Sequence, residues 1–256
     1  MDHPVDIDAA GALSFGLADE LAPGEGAPHV HARHQLLYAS AGTLTLHVSD
    51  STWLLPPLRA AVLAAGTEHV VDVVGHASLR TTYLHPSLVP WAPPACAVFT
   101  VDALASAMLQ AAPRFGPEDD SPAGHAFFAA LAHLAEDWVA RPLPLRLPRA
   151  TTPDLARALR WTRAHLAEPI RVADAASVAG ISPRTFARRM QTEALLPWQR
   201  YLQLARVLRA MELLADADVS VTEVALDVGY TSLPTFSRVF AAVAGSNPST
   251  WRQTLR

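Results

Sequence analysis

The stretch that decides the architecture is VADAASVAGISPRTFARRM (172–190), and VTEVALDVGYTSLPTFSRVF (221–240) repeats its plan. In each, a small residue stands four positions before a glycine: Ala176 before Gly180, and Ala225 before Gly229. A polar turn follows, then a phenylalanine and an arginine. Two helices that cross closely need a small side chain at the contact, and the turn between them needs a residue that tolerates positive φ. Ser182 in the first copy, and Thr231 or Ser232 in the second, can cap the next helix, and Pro183 suits a first helical turn. Phe186 and Phe236 then anchor that helix. The pattern predicts two helix-turn-helix units joined by a longer helix over about 197–215, with Tyr201, Leu202, Ala205, Leu208 and Leu213 on its apolar face. One such segment alone reads as a plain helical hairpin. Two with one plan, 49 residues apart at their glycines, point to DNA, with two recognition helices in successive major grooves.

On or beside the outward face of the first unit stand Ser182, Arg184, Thr185, Arg188 and Arg189; in the second the candidates are Ser232, Leu233, Thr235, Ser237 and Arg238. Arginine either reads guanine with two hydrogen bonds or holds phosphate. Leu233 and Pro234 are apolar where polar base contacts are expected, so the first unit is read as the main source of specificity.

Charge supports a division into two domains. Residues 1–149 carry seven arginines and fifteen acids, whereas 150–256 carry thirteen and nine, so the total of −4 averages a negative half and a positive one. The sequence has no lysine. Half of its 256 residues are hydrophobic and 17% are charged, which indicates a globular chain. The only cysteine is Cys96, so no internal disulfide forms. The acidic start carries no signal-peptide pattern, and no apolar run is long enough to span a membrane. A cytoplasmic location with no membrane partner is expected.

Ahead of the helical half, residues 28–85 read as strands. The apolar runs QLLYAS, TLTLHV, WLLP, AAVLAA and LRTTYL are separated by turn signals at Gly42, Asp50, Pro56-Pro57, Gly66 and Gly75, as in a sandwich or small barrel. Helical period follows over 98–112, and a second helix runs to about Val139. RPLPLRLPRATTP (141–153) holds four prolines and is read as the interdomain linker. The expected divisions are a barrel over 1–95, helices over 96–140, this linker, and the DNA-binding domain over 154–256.

Residues 153–254 resemble the DNA-binding domain of AraC/XylS-family regulators. The motifs are AGISPRTFARRM, LPWQRYLQLARVLRAMELLADADVSVTEVALDVGYTS and FSRVFAAVAGSNPSTWR, the last ending in Pro248, Ser249, Trp251 and Arg252. The resemblance implies a multi-domain α+β chain with an N-terminal cupin-like β-barrel, linker and dimerisation helices, and a C-terminal all-α domain. It implies double-stranded promoter DNA as partner, a homodimer, and RNA polymerase where the regulator activates. The stretch after Phe240, AAVAG, lacks the basic residues common in the family.

The cupin-like first motif, His-x-His followed by Glu and Gly, is met by His29, His31, Gln35 and Gly42, with Gln in the Glu place; the second is met by Ala65, Gly66 and His69. On a strand, residues 29, 31, 33 and 35 share a face, which directs His29, His31 and Gln35 into the barrel and His34 away. With His69 they suggest a site for a divalent transition metal (Zn, Ni or Fe). The same residues equally describe a polar pocket for an organic effector, or packing left from an enzyme ancestor. Tyr38, Trp53 and Tyr83 are candidate pocket walls or plain core. No nucleophile stands out. The function expected is a transcription regulator that senses a small molecule or metal; the alternative is a metal-dependent cupin enzyme fused to a DNA-binding domain.

Overall fold

A computed structural model describes residues 6–49, 51–56, 59–73, 76–143, 145–148, 150–214 and 218–253. The turn positions Asp50, Pro57 and Gly75 lie outside the described residues. The chain divides into two compact units, residues 1–49 with 53–144, and residues 50–52 with 145–256.

The first unit is β-rich. Strands β1 (Phe15–Leu21), β2 (His34–Ala41), β5 (Arg59–Leu63), β7 (Ala77–Leu84) and β8 (Cys96–Thr100) form one sheet in the order β1-β7-β2-β5-β8. Strands β3 (Leu44–Val48), β4 (Ser51–Leu55) and β6 (His69–Val73) belong to the second sheet, in the order β6-β3-β4. The central strand β2 is buried on both faces. Leu36 and Tyr38 join Ala60, Val62 and Phe99 under helices α1 (Ala103–Ala111) and α2 (Pro122–Val139), which supply Leu109, Phe128, Leu131 and Ala135. Gln35, Leu37 and Ala39 have the opposite parity. The apolar stripe of α2 is therefore used on the barrel itself.

Three boundaries differ from the sequence reading. The helical period read from 98 begins only at Ala103, because Cys96–Thr100 pairs with β5 from Leu63↔Cys96 to Arg59↔Thr100. The barrel consequently runs past residue 95. Strand β1, paired along its length with β7, went unread because FGLADEL alternates weakly and carries two acids. The proline-rich linker carries structure of its own: Leu143 N donates to Val98 O within the first unit, and Arg146–Pro148 forms β9 in the second. Its Arg146 Nε donates to Ser51 Oγ at 2.6 Å.

The second unit is otherwise helical: α3 (Pro153–Ala164), α4 (Val172–Ala179), α5 (Pro183–Glu193), α6 (Trp198–Leu214), α7 (Val221–Asp227), α8 (Leu233–Ala244) and α9 (Pro248–Gln253). Ala176 and Ala225 are buried at the α4/α5 and α7/α8 crossings, as are Phe186 and Phe236. Helix α6 is more deeply buried than one apolar face requires, since Leu204, Val207 and Met211 are covered too. Both turn glycines have positive φ, +73° at Gly180 and +80° at Gly229. They differ in surroundings. A Cβ at Gly180 would meet nothing within 4 Å, whereas one at Gly229 would lie 2.3 Å from Leu166 O and 2.6 Å from the Arg206 guanidinium. Gly180→Ala should therefore cost about 1 kcal/mol, the penalty of the left-handed backbone alone. Gly229→Ala should cost at least about 3 kcal/mol, because backbone must also move. Chemical denaturation of the two variants checks this; equal losses would contradict it.

Candidate functional site

The two recognition helices begin alike. Ser182 Oγ accepts from Thr185 N at 3.2 Å, and Ser232 Oγ accepts from Thr235 N at 3.4 Å. Each serine thus satisfies an otherwise unpaired helix donor. Ser182 Oγ also lies 3.0 Å from Thr185 Oγ1. Phe186 and Met190 fix the inward side of α5, so a 100° step per residue turns Arg184, Arg188, Gln191 and Thr192 outward, and all four are exposed. On α8, Phe236 and Phe240 fix the inward side, and the outward residues are Pro234, Arg238, Ala241 and Ala242. Thr235 is exposed, Leu233 is 40% exposed at the first turn, and Ser237 is half-buried off the outward line.

Arg189 is placed differently from Arg184 and Arg188. Its Nη1 is bonded to the Asp154 carboxylate at the start of α3, and both side chains are only about a quarter exposed. Burial pushes the Asp154 carboxyl up, but hydrogen bonds from Leu155 N and Thr152 and the Arg189 guanidinium outweigh it and hold it below its ordinary value. Glu193, one turn on, accepts from Thr152 N and from both hydroxyls of Thr151 and Thr152. Arg189 is thus engaged in holding α5 to α3. Its partner, 35 residues away in sequence, gives no local signal. Two more arginines are spent on the fold: Arg157 donates to Val178 O and Ala179 O at the end of α4, and Arg206 to Leu166 O and Glu168 O. Gln191 and Thr192 lie beyond the 172–190 motif; their helical phase relative to Phe186 is the signal that places them outward.

In the first unit the structure gathers His29, His31, Gln35, His69 and Tyr83. His29 and His69 pair backbone to backbone, each N–H donating to the other's carbonyl at 3.0 Å, and their rings lie 4.1 Å apart. The His31 ring is 5.2 Å from both His69 and Tyr83. Strand β2 begins only at His34, so the alternation expected over 29–35 does not hold. Arg33 leaves the set: its guanidinium donates to the carbonyls of Ile7, Ala10, Ala12 and Leu13 and stacks over Phe15. Asp8 completes that clasp by accepting from Ala32 N. His34, as expected, is outside the cluster, and its Nδ1 accepts from Ala65 N. Tyr38 is not a pocket wall; it faces the helices, with its hydroxyl 2.9 Å from Ser106 Oγ. Trp53 is half-buried on β4.

Each of the three rings places Nδ1 against a backbone carbonyl: His29 on Ala27 O, His31 on Arg33 O and His69 on Thr67 O. A carbonyl only accepts, so each Nδ1 carries the proton and each Nε2 keeps a lone pair. His31 Nε2 lies 3.2 Å from Gln35 Oε1, and Gln35 Nε2 lies 3.2 Å from the Tyr83 hydroxyl. Two acceptors facing each other repel. Turning the amide over relieves this, with Nε2–H donating to His31 and Tyr83 donating to Oε1. A cation between the two acceptors would relieve it as well. His69 Nε2 is buried with no partner among the described residues. Burial lowers the pKa of His31, and that of His69 to about 4, and raises that of Tyr83. Among the described residues, no group of three or more His, Cys, Asp or Glu is arranged to hold a metal ion. His29 is half-buried, whereas His31 and His69 are buried.

Comparison with known proteins agrees with both halves. Residues 22–143 match the AraC-like ligand binding domain, and residues 175–254 match a helix-turn-helix domain. The HTH-type transcriptional regulator NimR of Escherichia coli K12 is 25% identical over 86% of this chain and 80% of its own length. The HTH-type transcriptional activator RhaS of Enterobacter sp. strain 638 is 32% identical over 39% of this chain and 36% of its own. A solved DNA-binding domain of AdpA, a global transcriptional factor in complex with target DNA, is 34% identical over 41% of this chain, with a TM-score of 0.39. The chain belongs to the AraC family: it is an AraC-type DNA-binding transcription regulator with an N-terminal ligand-binding domain.

The cluster makes a pH prediction for metal-free protein. Unfolded His69 takes up a proton near 6.5, whereas the folded one refuses it until about 4. The unfolded chain therefore binds more protons in that window, and the barrel loses stability as pH falls from 6.5 to 4. The loss attributable to His69 is roughly 3 kcal/mol. Melting followed in chelator should show it, and His69→Leu should flatten the curve; parallel curves would contradict it.

Proposed function

We propose that this regulator is a one-component switch that acts as a homodimer: an effector enters the barrel, and the response alters how the C-terminal units engage promoter DNA. The observation that carries the DNA half is the pair of identically capped recognition helices, with Arg184, Arg188 and Arg238 exposed on a positively charged half-chain. The dimer contact proposed is the free side of α1 and α2. There the exposed Leu104, with Val101, Leu134, Trp138 and Leu143, lines a cleft of about 560 Å³. Any such switch needs an effector that binds one arrangement better than the other. RNA polymerase would be a further partner if the protein activates.

The proposed effector site is the histidine cluster, whose chemistry asks for something that takes a lone pair. His69 Nε2 and His31 Nε2 suit either a hydrogen-bond donor on an organic effector or a divalent transition metal. Elemental analysis after exposure to Zn(II), Ni(II) or Fe(II) separates the two. One ion per chain in wild type and none in His69→Ala supports a metal effector. No ion in either leaves the organic donor. The enzyme alternative is disfavoured by Gln35 in the place of the cupin motif's carboxylate and by the regulators among the relatives.

For the DNA half, Arg188→Ala should weaken specific promoter binding ten- to about a hundredfold, the loss of one good base contact, with the circular dichroism spectrum unchanged. Binding should also fall linearly in log–log form with salt. A footprint unaltered by the substitution would defeat the assignment.

A further inference from the structure

The outward faces of the two recognition helices differ in chemistry, although their frames match. Aligned on their capping serines and anchoring phenylalanines, Arg184 corresponds to Pro234, Arg188 to Arg238, Gln191 to Ala241 and Thr192 to Ala242. Three of four polar side chains on α5 are thus apolar and short on α8. At the first turn of α8, Leu233 and Pro234 are both exposed. Among the exposed large apolar side chains, Leu233 stands at the leading end of a recognition helix, the end that meets base edges.

We propose that α8 reads its half-site through thymine methyl groups, with Leu233 at the leading end as the principal contact, while α5 reads guanine through Arg184 and Arg188. This rests on the DNA-binding role proposed above. The thymine C5-methyl is the one apolar feature in the major groove, and short apolar side chains recognise it. Ala241 and Ala242 leave no long side chain to hold the helix off, so α8 can lie close to the base edges. Arg238, exposed on the outward face with Ala242, supplies the phosphate attraction, while Leu233 reaches the groove from the helix end. The two half-sites then differ: one is guanine-dependent, the other thymine-rich.

The experiment begins with an operator selected from a random duplex library by the full-length protein. Each thymine of the two half-sites is then replaced by deoxyuridine, which lacks only the methyl. Affinity is read by fluorescence anisotropy for wild type, Leu233→Ala and Arg184→Ala. Burial of one methyl corresponds to about fourfold in affinity. Wild type should lose about that much at a thymine in one half-site only. Leu233→Ala should bind more weakly and no longer respond to deoxyuridine there. Arg184→Ala should keep the deoxyuridine response and lose guanine preference in the other half-site. If wild type ignores deoxyuridine, or Leu233→Ala responds like wild type, the inference is overturned. A Leu233→Ala variant that binds DNA normally but fails in transcription overturns it too, by assigning Leu233 to a protein partner. Selection of no sequence at all would instead defeat the DNA-binding role on which the inference rests.

Discussion

One guanidinium holds the two helix-turn-helix units in a common frame. Arg206, midway along α6, donates to Leu166 O and Glu168 O beyond the end of α3, and its guanidinium lies over the Tyr230 ring at 5.5 Å. The backbone of Gly229 passes so close that a Cβ would touch it. Burial lowers the pKa of this arginine, yet both carbonyls still accept from it. The first helix, the connecting helix and the turn of the second unit thus meet at one charged, hydrogen-bonded point. Paired recognition depends on that joint, because two helices read neighbouring grooves only if their separation is fixed.

A division of labour among the arginines follows. Arg157, Arg189 and Arg206 are hydrogen-bonded within the fold, and Arg184, Arg188 and Arg238 stand outside on the recognition helices. Net charge draws the domain to nucleic acid, but of these six only the second set stands where it can reach the duplex, Arg184 and Arg188 toward bases and Arg238 toward phosphate. In the first unit the same economy applies to histidine. Three Nδ1 atoms are committed to carbonyls, and what remains for an effector is a set of Nε2 lone pairs.

The helix-turn-helix units were legible because steric demands fix their residue types locally: small at the crossing, glycine at positive φ, serine at the cap. The strands from QLLYAS to LRTTYL were legible from their apolar runs. What escaped depends on distant partners. Arg189 looks like a reader until Asp154 is seen beside it. Tyr38 looks like a pocket wall until α1 and α2 cover that face. The histidines came together although the alternation invoked for 29–35 fails before His34; the isolated pairing of His29 with His69, not strand parity, closes the cluster.

The central claim is that two unequal helices of one rigid domain enter successive major grooves. Hydroxyl-radical footprinting of the full-length protein on its selected operator tests this most directly. Two protected patches centred one helical turn apart, about 10 base pairs, on one face of the duplex are predicted for each domain, with guanine methylation interfering in only one of them. A single patch per domain, or equal guanine interference in both, would contradict the account.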